Sequence, residues 1–391
     1  MQKRLKIGIV TEYYYPTLGG IQEHVYHFSK EAAKRGHEVH IITSNVIGAD
    51  LGYDVYNEQV KVIRIGYSLP IVSNNSIGRV SLAPNIAKKV RNVLEGERYD
   101  VLHIHSPLHP VLPILALSKS NTLTVGTFHT NFERSLFFTV FKPFLKMGIE
   151  RLDGMIAVSE TAITTVKNYL NPKKEFKIIP NGVDTEMFSP SVQKIPALSD
   201  GKINLLFVGR MEPRNGLDRL IKAFIYVREK GIDNVRVIAI GDGPLRKIYE
   251  DMVPVRYKTD VIFTGALNGG RPEYFSSSHI LCFPATIASF GITLLEGCAA
   301  ALPFVTTAGA GFPSIFSNGE NGFLINTADE KEFGETLIKL IKDEDLRRRL
   351  GANGRRLAER YSWKNVTTEI LNYYFELMKF RCCPEQSALR N

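Results

Sequence analysis

Cysteine is scarce in this chain, and scattered. The four are Cys282, Cys298, Cys382 and Cys383, with no C-x-x-C spacing and no paired-histidine motif. That argues against a disulfide framework and a structural zinc, and for a reducing, cytoplasmic setting. Long hydrophobic runs are missing too: nothing approaches the roughly 20 apolar residues of a membrane span. The start, MQKRLKIGIVTEYYYP, has a basic flank but too short an apolar run for a secretory signal, so it reads as a first strand. No DNA- or RNA-binding motif is evident, and lysine and arginine are spread rather than arrayed on one helix. The net charge of +9 therefore argues for phosphorylated substrates or an anionic lipid surface, not nucleic acid.

What is present is alternation. LKIGIV, EVHIIT, VKVIRI, DVLHIH, TLTVGTF, GMIAVS and FKIIP read as strands, with helix-like stretches at 22–35, 84–95 and 162–169 between them. Continuous apolar strands alternating with helices predict a parallel sheet covered on both faces. The stretch 181–200, rich in Pro, Ser and Asp, reads as a linker. Alternation then restarts with INLLFVG, VRVIAIGDG, DVIFTG, HILCFP and PFVTT, and 329–381 reads almost wholly as helix. With 391 residues, 44% of them hydrophobic, the chain can fill two cores. The expected fold class is α/β, two doubly wound Rossmann-like domains facing a cleft, with ligands at the carboxyl ends of the strands. The expected domains are 1–185 and 200–370, with a last helix at 362–380 crossing back to the first.

At Gly19-Gly20 a strand-like run ends directly ahead of a helix-like one. Either the pair lets backbone N–H groups and a helix start approach an anion, or it is a tight turn needing φ > 0 with nothing bound. Spacing alone leaves both open.

PTLGGIQEHV, RGHEV, DVLHIHSP, GTFHT, AVSE, IPNGVD, VGRMEPRNGL, IGDGPLR and SFGITLLEG together resemble the retaining, GT-B-fold glycosyltransferases of family 4, over essentially the whole chain. GGIQEH with GTFHT and the basic segment after it is most similar to the phosphatidylinositol mannosyltransferases. The resemblance implies transfer of a hexose, mannose from GDP-mannose foremost, from a nucleotide sugar to an acceptor such as phosphatidylinositol. The configuration is retained, and no metal or cofactor is required. It implies that Gly19 and Gly20 lie near the donor diphosphate, with Tyr13 and Gln22 on the acceptor side. His129 meets the transferred sugar, and Arg210 meets the phosphates, where a guanidinium can fork onto two oxygens. Glu296 suits the ribose hydroxyls, Phe290, Gly291, Ile292 and Thr293 open a helix toward the diphosphate, and Ile262, Gly265 and Leu267 frame the base. No D-x-D motif stands at a strand end, so positive charge is expected from protein groups. His24, His103 and His105 read as structural.

The chain also departs from the family pattern. Asn215 stands where a lysine is expected, and Ala288 where the first glutamate of an E-x(7)-E pair ending at Glu296 would be. Ser314 replaces a glutamate, and Ala301 a glycine, which would strain a φ > 0 turn. Three outcomes are compatible with this: an active transferase with altered contacts, an inactivated one, or a binder of nucleotide sugars. A sugar-phosphate epimerase of the same fold is a further alternative.

RSLFFTVFKPFLKMGIER (134–151) mixes Phe and Leu with Arg134, Lys142, Lys146 and Arg151. It reads either as an interfacial element docking on anionic lipid, on the inner face of the cell membrane, or as a core-packed helix pair with solvated lysines. By resemblance, Arg134 would meet an acceptor phosphate.

Overall fold

The computed structural model describes residues 3–17, 19–46, 59–73, 76–129, 136–267, 269–286, 290–308, 315–325 and 330–382. Arg134, Ala288 and Ser314 lie outside them. The chain divides into two units, 1–181 with 363–391, and 182–362.

In the first unit the strands are β1 (Lys6–Val10), β2 (Glu38–Val46), β3 (Val60–Ser73), β4 (Ser76–Leu82), β5 (Val101–His105), β6 (Leu123–Phe128), β7 (Gly154–Ala157) and β8 (Phe176–Ile178). They lie in the order β4-β3-β2-β1-β5-β6-β7-β8. All neighbours pair in parallel except β3 and β4, which form an antiparallel hairpin. The central strands are buried along their length, which is why they read as unbroken apolar runs. The helices are α1 (Gly20–Lys34), α2 (Ile86–Glu97), α3 (Leu112–Lys119), α4 (Leu136–Val140), α5 (Lys142–Glu150) and α6 (Glu160–Leu170).

The second unit has β9 (Ile203–Val208), β10 (Val235–Ile240), β11 (Val261–Gly265), β12 (Ile280–Phe283), β13 (Phe304–Thr307) and β14 (Gly322–Ile325). They are ordered β11-β10-β9-β12-β13-β14, every pair parallel. Its helices are α7 (Leu217–Glu229), α8 (Arg246–Met252), α9 (Arg271–Ser276), α10 (Ile292–Ala299), α11 (Glu330–Lys342) and α12 (Glu344–Arg360). The last helix, α13 (Trp363–Cys382), belongs to the first unit. It buries Trp363, Val366, Ile370, Leu371 and Tyr374 in the same core as Val25 and Phe28 of α1. The expected second-domain limit of 370 therefore falls inside a helix of the first unit, and the unit ends at 362. The stretch expected to be a linker is also part of the second unit: Phe188 is buried against the ring of Phe275, and Val183 N donates to Tyr361 O (2.9 Å).

Two strands have no counterpart in the sequence reading, β4 and β14. Among the described residues no helix is long and apolar enough to cross a membrane.

Candidate functional site

In a parallel sheet the loops that follow the strands gather at one edge. In the first unit that edge carries Tyr13 after β1, the start of α1, and His129 after β6. Gly19 is extended, with φ 165° and ψ 170°, a conformation open to any residue, so the turn does not need φ > 0 there. What the glycine provides is room. A Cβ on Gly19 would lie 2.8 Å from Gln22 Oε1, so the Gln22 side chain can fold over the loop, where its Nε2 donates to Thr17 Oγ1 (2.9 Å). No side chain caps the N-terminus of α1. Tyr13 is half-buried, its hydroxyl 3.2 Å from His109 Nε2 and the two rings edge to face.

His129 is not isolated. Residues 103 and 105 alternate to the same face of β5, and both are histidines under α1 and α13. The His103 and His105 rings stack at 4.5 Å, and His105 meets His129 edge to edge, nearly coplanar, with ring centroids 5.0 Å apart. His24, from α1, meets His105 and His129 edge-on at 5.0 and 5.1 Å. The contacts are specific: His105 Nδ1 to His129 Nε2 at 2.7 Å, His103 Nε2 to Thr127 Oγ1 at 2.6 Å, His103 Nδ1 to the Tyr374 hydroxyl at 2.6 Å, and His24 Nδ1 to Asn181 Oδ1 at 2.7 Å. All four rings are buried. Burial, with the neighbouring imidazoles, pushes His24 down to about 4 and His103 down to about 3, and holds His105 and His129 well below the usual histidine range. They are neutral at physiological pH. The residues read as structural are thus the bed on which His129 sits. Glu12, beside Tyr13, is a second buried titratable group. Ser81 Oγ donates to both of its oxygens (2.7 and 2.9 Å), and burial raises its carboxyl to about 8.

At the opposite, amino-terminal edge, Glu38, His40 and Glu97 are the only trio of metal-ligating groups brought together among the described residues. The Lys6 ammonium bridges both carboxylates (2.9 and 2.8 Å) and Lys61 adds a third contact (2.6 Å). The charge is already balanced, and Lys6 and Lys61 hold Glu97 down to about 2.

In the second unit the loop after β9 carries Arg210. Glu212, 5% exposed, grips two guanidiniums: Arg210 Nη2 at 3.0 Å and Arg214 Nε at 3.1 Å. The Asn215 amide donates to the Arg210 carbonyl (2.7 Å) at the surface of the loop. The loop then enters α7 through Gly216, with φ 73°, where a Cβ would lie 2.0 Å from Pro284 O. Only glycine fits there. Thr286 N donates to Arg214 O (2.8 Å), joining this loop to the one after β12. Sequence reasoning missed Glu212, although its place two residues from each arginine was a usable signal.

Of the remaining donor-side candidates, Gly265 ends β11 at the same sheet edge with Leu267 just beyond it, whereas Ile262, expected at the strand end, is the second residue of β11 and lies away from that edge. Ile262 and Leu267 are half-buried, and Gly265, at φ 78°, accepts from Gly241 N (3.0 Å). Phe290 is buried, and Gly291 (φ 82°), the N-cap of α10, has no side chain to cap it, so Ile292 and Thr293 form a first turn without a side-chain cap from its N-cap residue. Glu296 is buried, and Arg271 Nη2 already holds its Oε1 at 3.1 Å, a contact the sequence reading did not foresee. Ala301 has φ 57°, in the left-handed region, as its replacement of a glycine predicts.

The helix pair α4–α5 combines the two readings of its segment. Leu145 and Ile149 are buried in the core, and Phe137 and Phe138 pack against it. Val140, Phe141, Phe144 and Met147 are exposed, the last two at 65% and 67%, beside exposed Lys142 and Lys146.

Comparison with known proteins agrees with this architecture. Residues 18–187 match the model of Glycosyltransferase Family 4, and residues 189–357 that of Glycosyl transferases group 1. The phosphatidyl-myo-inositol mannosyltransferase of Mycobacterium leprae (strain TN) is 30% identical over 375 residues, 95% of this chain and 96% of its own. Among solved structures, a glycosyltransferase from Rickettsia africae ESF-5 superposes with a TM-score of 0.75 at 18% identity, covering 96% of this chain and 99% of that one. Anabaena HepE in complex with UDP also gives 0.75, at 17% identity, covering 95% and 100%. With two parallel-sheet units of this topology and a relative of that identity along almost its full length, the chain belongs to glycosyltransferase family 4 and is a glycosyltransferase of the GT-B fold.

Proposed function

We propose that the enzyme moves a hexose from a nucleotide sugar, with GDP-mannose as the favoured donor, to a membrane lipid of the phosphatidylinositol class, with retention of configuration. The donor reading rests on the second unit. Two guanidiniums held by Glu212 and the uncapped start of α10 offer charge and N–H groups to a diphosphate, and stabilising the departing diphosphate is what this reaction needs. His129 would meet the transferred sugar. No step calls for a metal, and the leaving phosphate would accept the acceptor's proton.

The observation that carries a lipid acceptor is the exposed face of α4–α5. Phe144 and Met147 lie within a turn of each other and are flanked by Lys142 and Lys146, the arrangement in which aromatics enter the acyl boundary and ammonium groups meet anionic headgroups. The relative from M. leprae, by its name, acts on phosphatidyl-myo-inositol.

The test is transfer from GDP-mannose or UDP-glucose to phosphatidylinositol vesicles, beside flotation of the protein with those vesicles. A Phe144→Asp/Met147→Asp variant should lose flotation and vesicle transfer by at least about tenfold, since two buried aromatic or thioether side chains are worth roughly 1.5–3 kcal/mol each. Its thermal stability should be unchanged. Transfer to a soluble acceptor with no dependence on vesicles would overturn the lipid reading.

A further inference from the structure

We propose that His105 is a positioning residue for His129: its Nδ1–H donates to His129 Nε2 and so fixes His129 as the tautomer protonated on Nδ1.

The two nitrogens are 2.7 Å apart, and the rings lie edge to edge, 18° from coplanar with centroids 5.0 Å apart, so the bond runs in the plane of both rings. Both residues are neutral, so the bond between them carries one proton, and its owner sets both tautomers. If His129 were the donor, the remaining proton of His105 would sit on Nε2. That atom is buried and has no hydrogen-bond partner among the described residues, and a buried N–H without a partner is rarer and costlier than a bare acceptor. The proton therefore belongs to His105 Nδ1. Neighbouring rings leave this assignment undisturbed. His24 Nδ1 faces Asn181 Oδ1, an atom that only accepts, so His24 carries its proton there and leaves Nε2 bare. His103 spends both nitrogens on Thr127 and Tyr374. Neither offers His129 a competing donor. With Nε2 committed, His129 has one ring atom left, Nδ1, and it is an N–H. On the reading that His129 meets the transferred sugar, this N–H faces a sugar oxygen as a donor, in an orientation set by His105.

Two variants separate positioning from packing. His105→Asn places an amide donor near the position of Nδ1, whereas His105→Phe keeps the stacked ring and removes the donor. Long-range ¹H–¹⁵N correlation on ¹⁵N-histidine-labelled full-length protein, with His129→Asn as the assignment control, reads the tautomer without any substrate. Expected is a single His129 species, protonated on Nδ1 and bare on Nε2, in the parent and in His105→Asn, and a mixture in His105→Phe. In sugar transfer, His105→Phe should lower kcat by about tenfold with donor KM nearly unchanged, as one lost hydrogen bond implies, and His105→Asn should restore most of it. A parent His129 protonated on Nε2 would overturn the proposal, whatever the variants do. So would equal rates for the Phe and Asn variants. If no nucleotide sugar supports transfer while the tautomer is as expected, the functional reading fails and the positioning stands.

Discussion

Replacing Glu12 by glutamine should make the first unit more stable at neutral pH, by an amount that grows with pH. Glu12 is 3% exposed and held by Ser81. Desolvation raises its carboxyl from 4.5 to about 8, outweighing the opposing pull of Ser81, Ser68 and Arg79. Below about pH 4.5 the folded and unfolded states both carry the proton, and Glu12 is nearly equivalent to glutamine. Above that the unfolded chain releases the proton while the folded one keeps it, so the native state binds more protons and stability falls as pH rises. The loss accumulates at about 1.4 kcal/mol per pH unit, reaching about 3 kcal/mol at pH 7 and about 5 kcal/mol above pH 8, where both states are ionised and the difference levels off. The chain has a single tryptophan, Trp363, buried in the core of the first unit, so its fluorescence follows that unit. Urea unfolding of parent and Glu12→Gln at half-unit steps from pH 5 to 9 gives the difference directly, because every other titrating group cancels between the two proteins. A difference that is flat across that range, or that favours the parent as pH rises, would refute the reasoning.

Two further perturbations follow from the second unit. Ala301→Gly should relieve a left-handed residue that costs about 1–2 kcal/mol, less the 0.5–1 kcal/mol by which glycine favours the unfolded chain; the gain is about 0.5–1 kcal/mol. Calorimetry should show the second unit melting a few degrees higher, and an unchanged or lower transition would mean the turn is not strained. Glu212→Gln should weaken GDP or UDP binding by about tenfold, because Arg210 and Arg214 lose the charged anchor that orients them; titration calorimetry reads this. Tighter binding would show instead that Glu212 restrains the charge of the loop rather than aiming it.

The parallel strands were legible because both faces of the central ones are covered, so their runs are mostly apolar with only a few polar residues among them. The hairpin was not. Tyr67–Ser73 contains Pro70 and continues β3 beyond the run VKVIRI, and β4 mixes Gly78 and Arg79 into an edge pairing, where no second face demands hydrophobicity. The four residues of β14 are too few to show a period. Motif residues such as Arg210 and Glu296 could be picked out because each belongs to a recognisable string, VGRMEPRNGL and SFGITLLEG. The four-histidine bed could not, because its rings arrive from α1, β5 and the end of β6 and are closed by Tyr374 of α13, nearly 250 residues further along the chain than His129. A histidine on an apolar strand carries no mark of which ring it will meet.

The departures at the donor loop also look different once the side chains are in place. A lysine at 215 would add charge; Asn215 adds none, but its amide holds the Arg210 carbonyl and so shapes the backbone from which the Arg210 guanidinium projects. The loop still presents two guanidiniums against one carboxylate, a net positive charge at the carboxyl end of β9. A lysine would instead act as an independent point charge. On the donor reading proposed above, the substitution shifts the loop from adding cations to orienting those it has, and oriented charge is what stabilises a departing diphosphate.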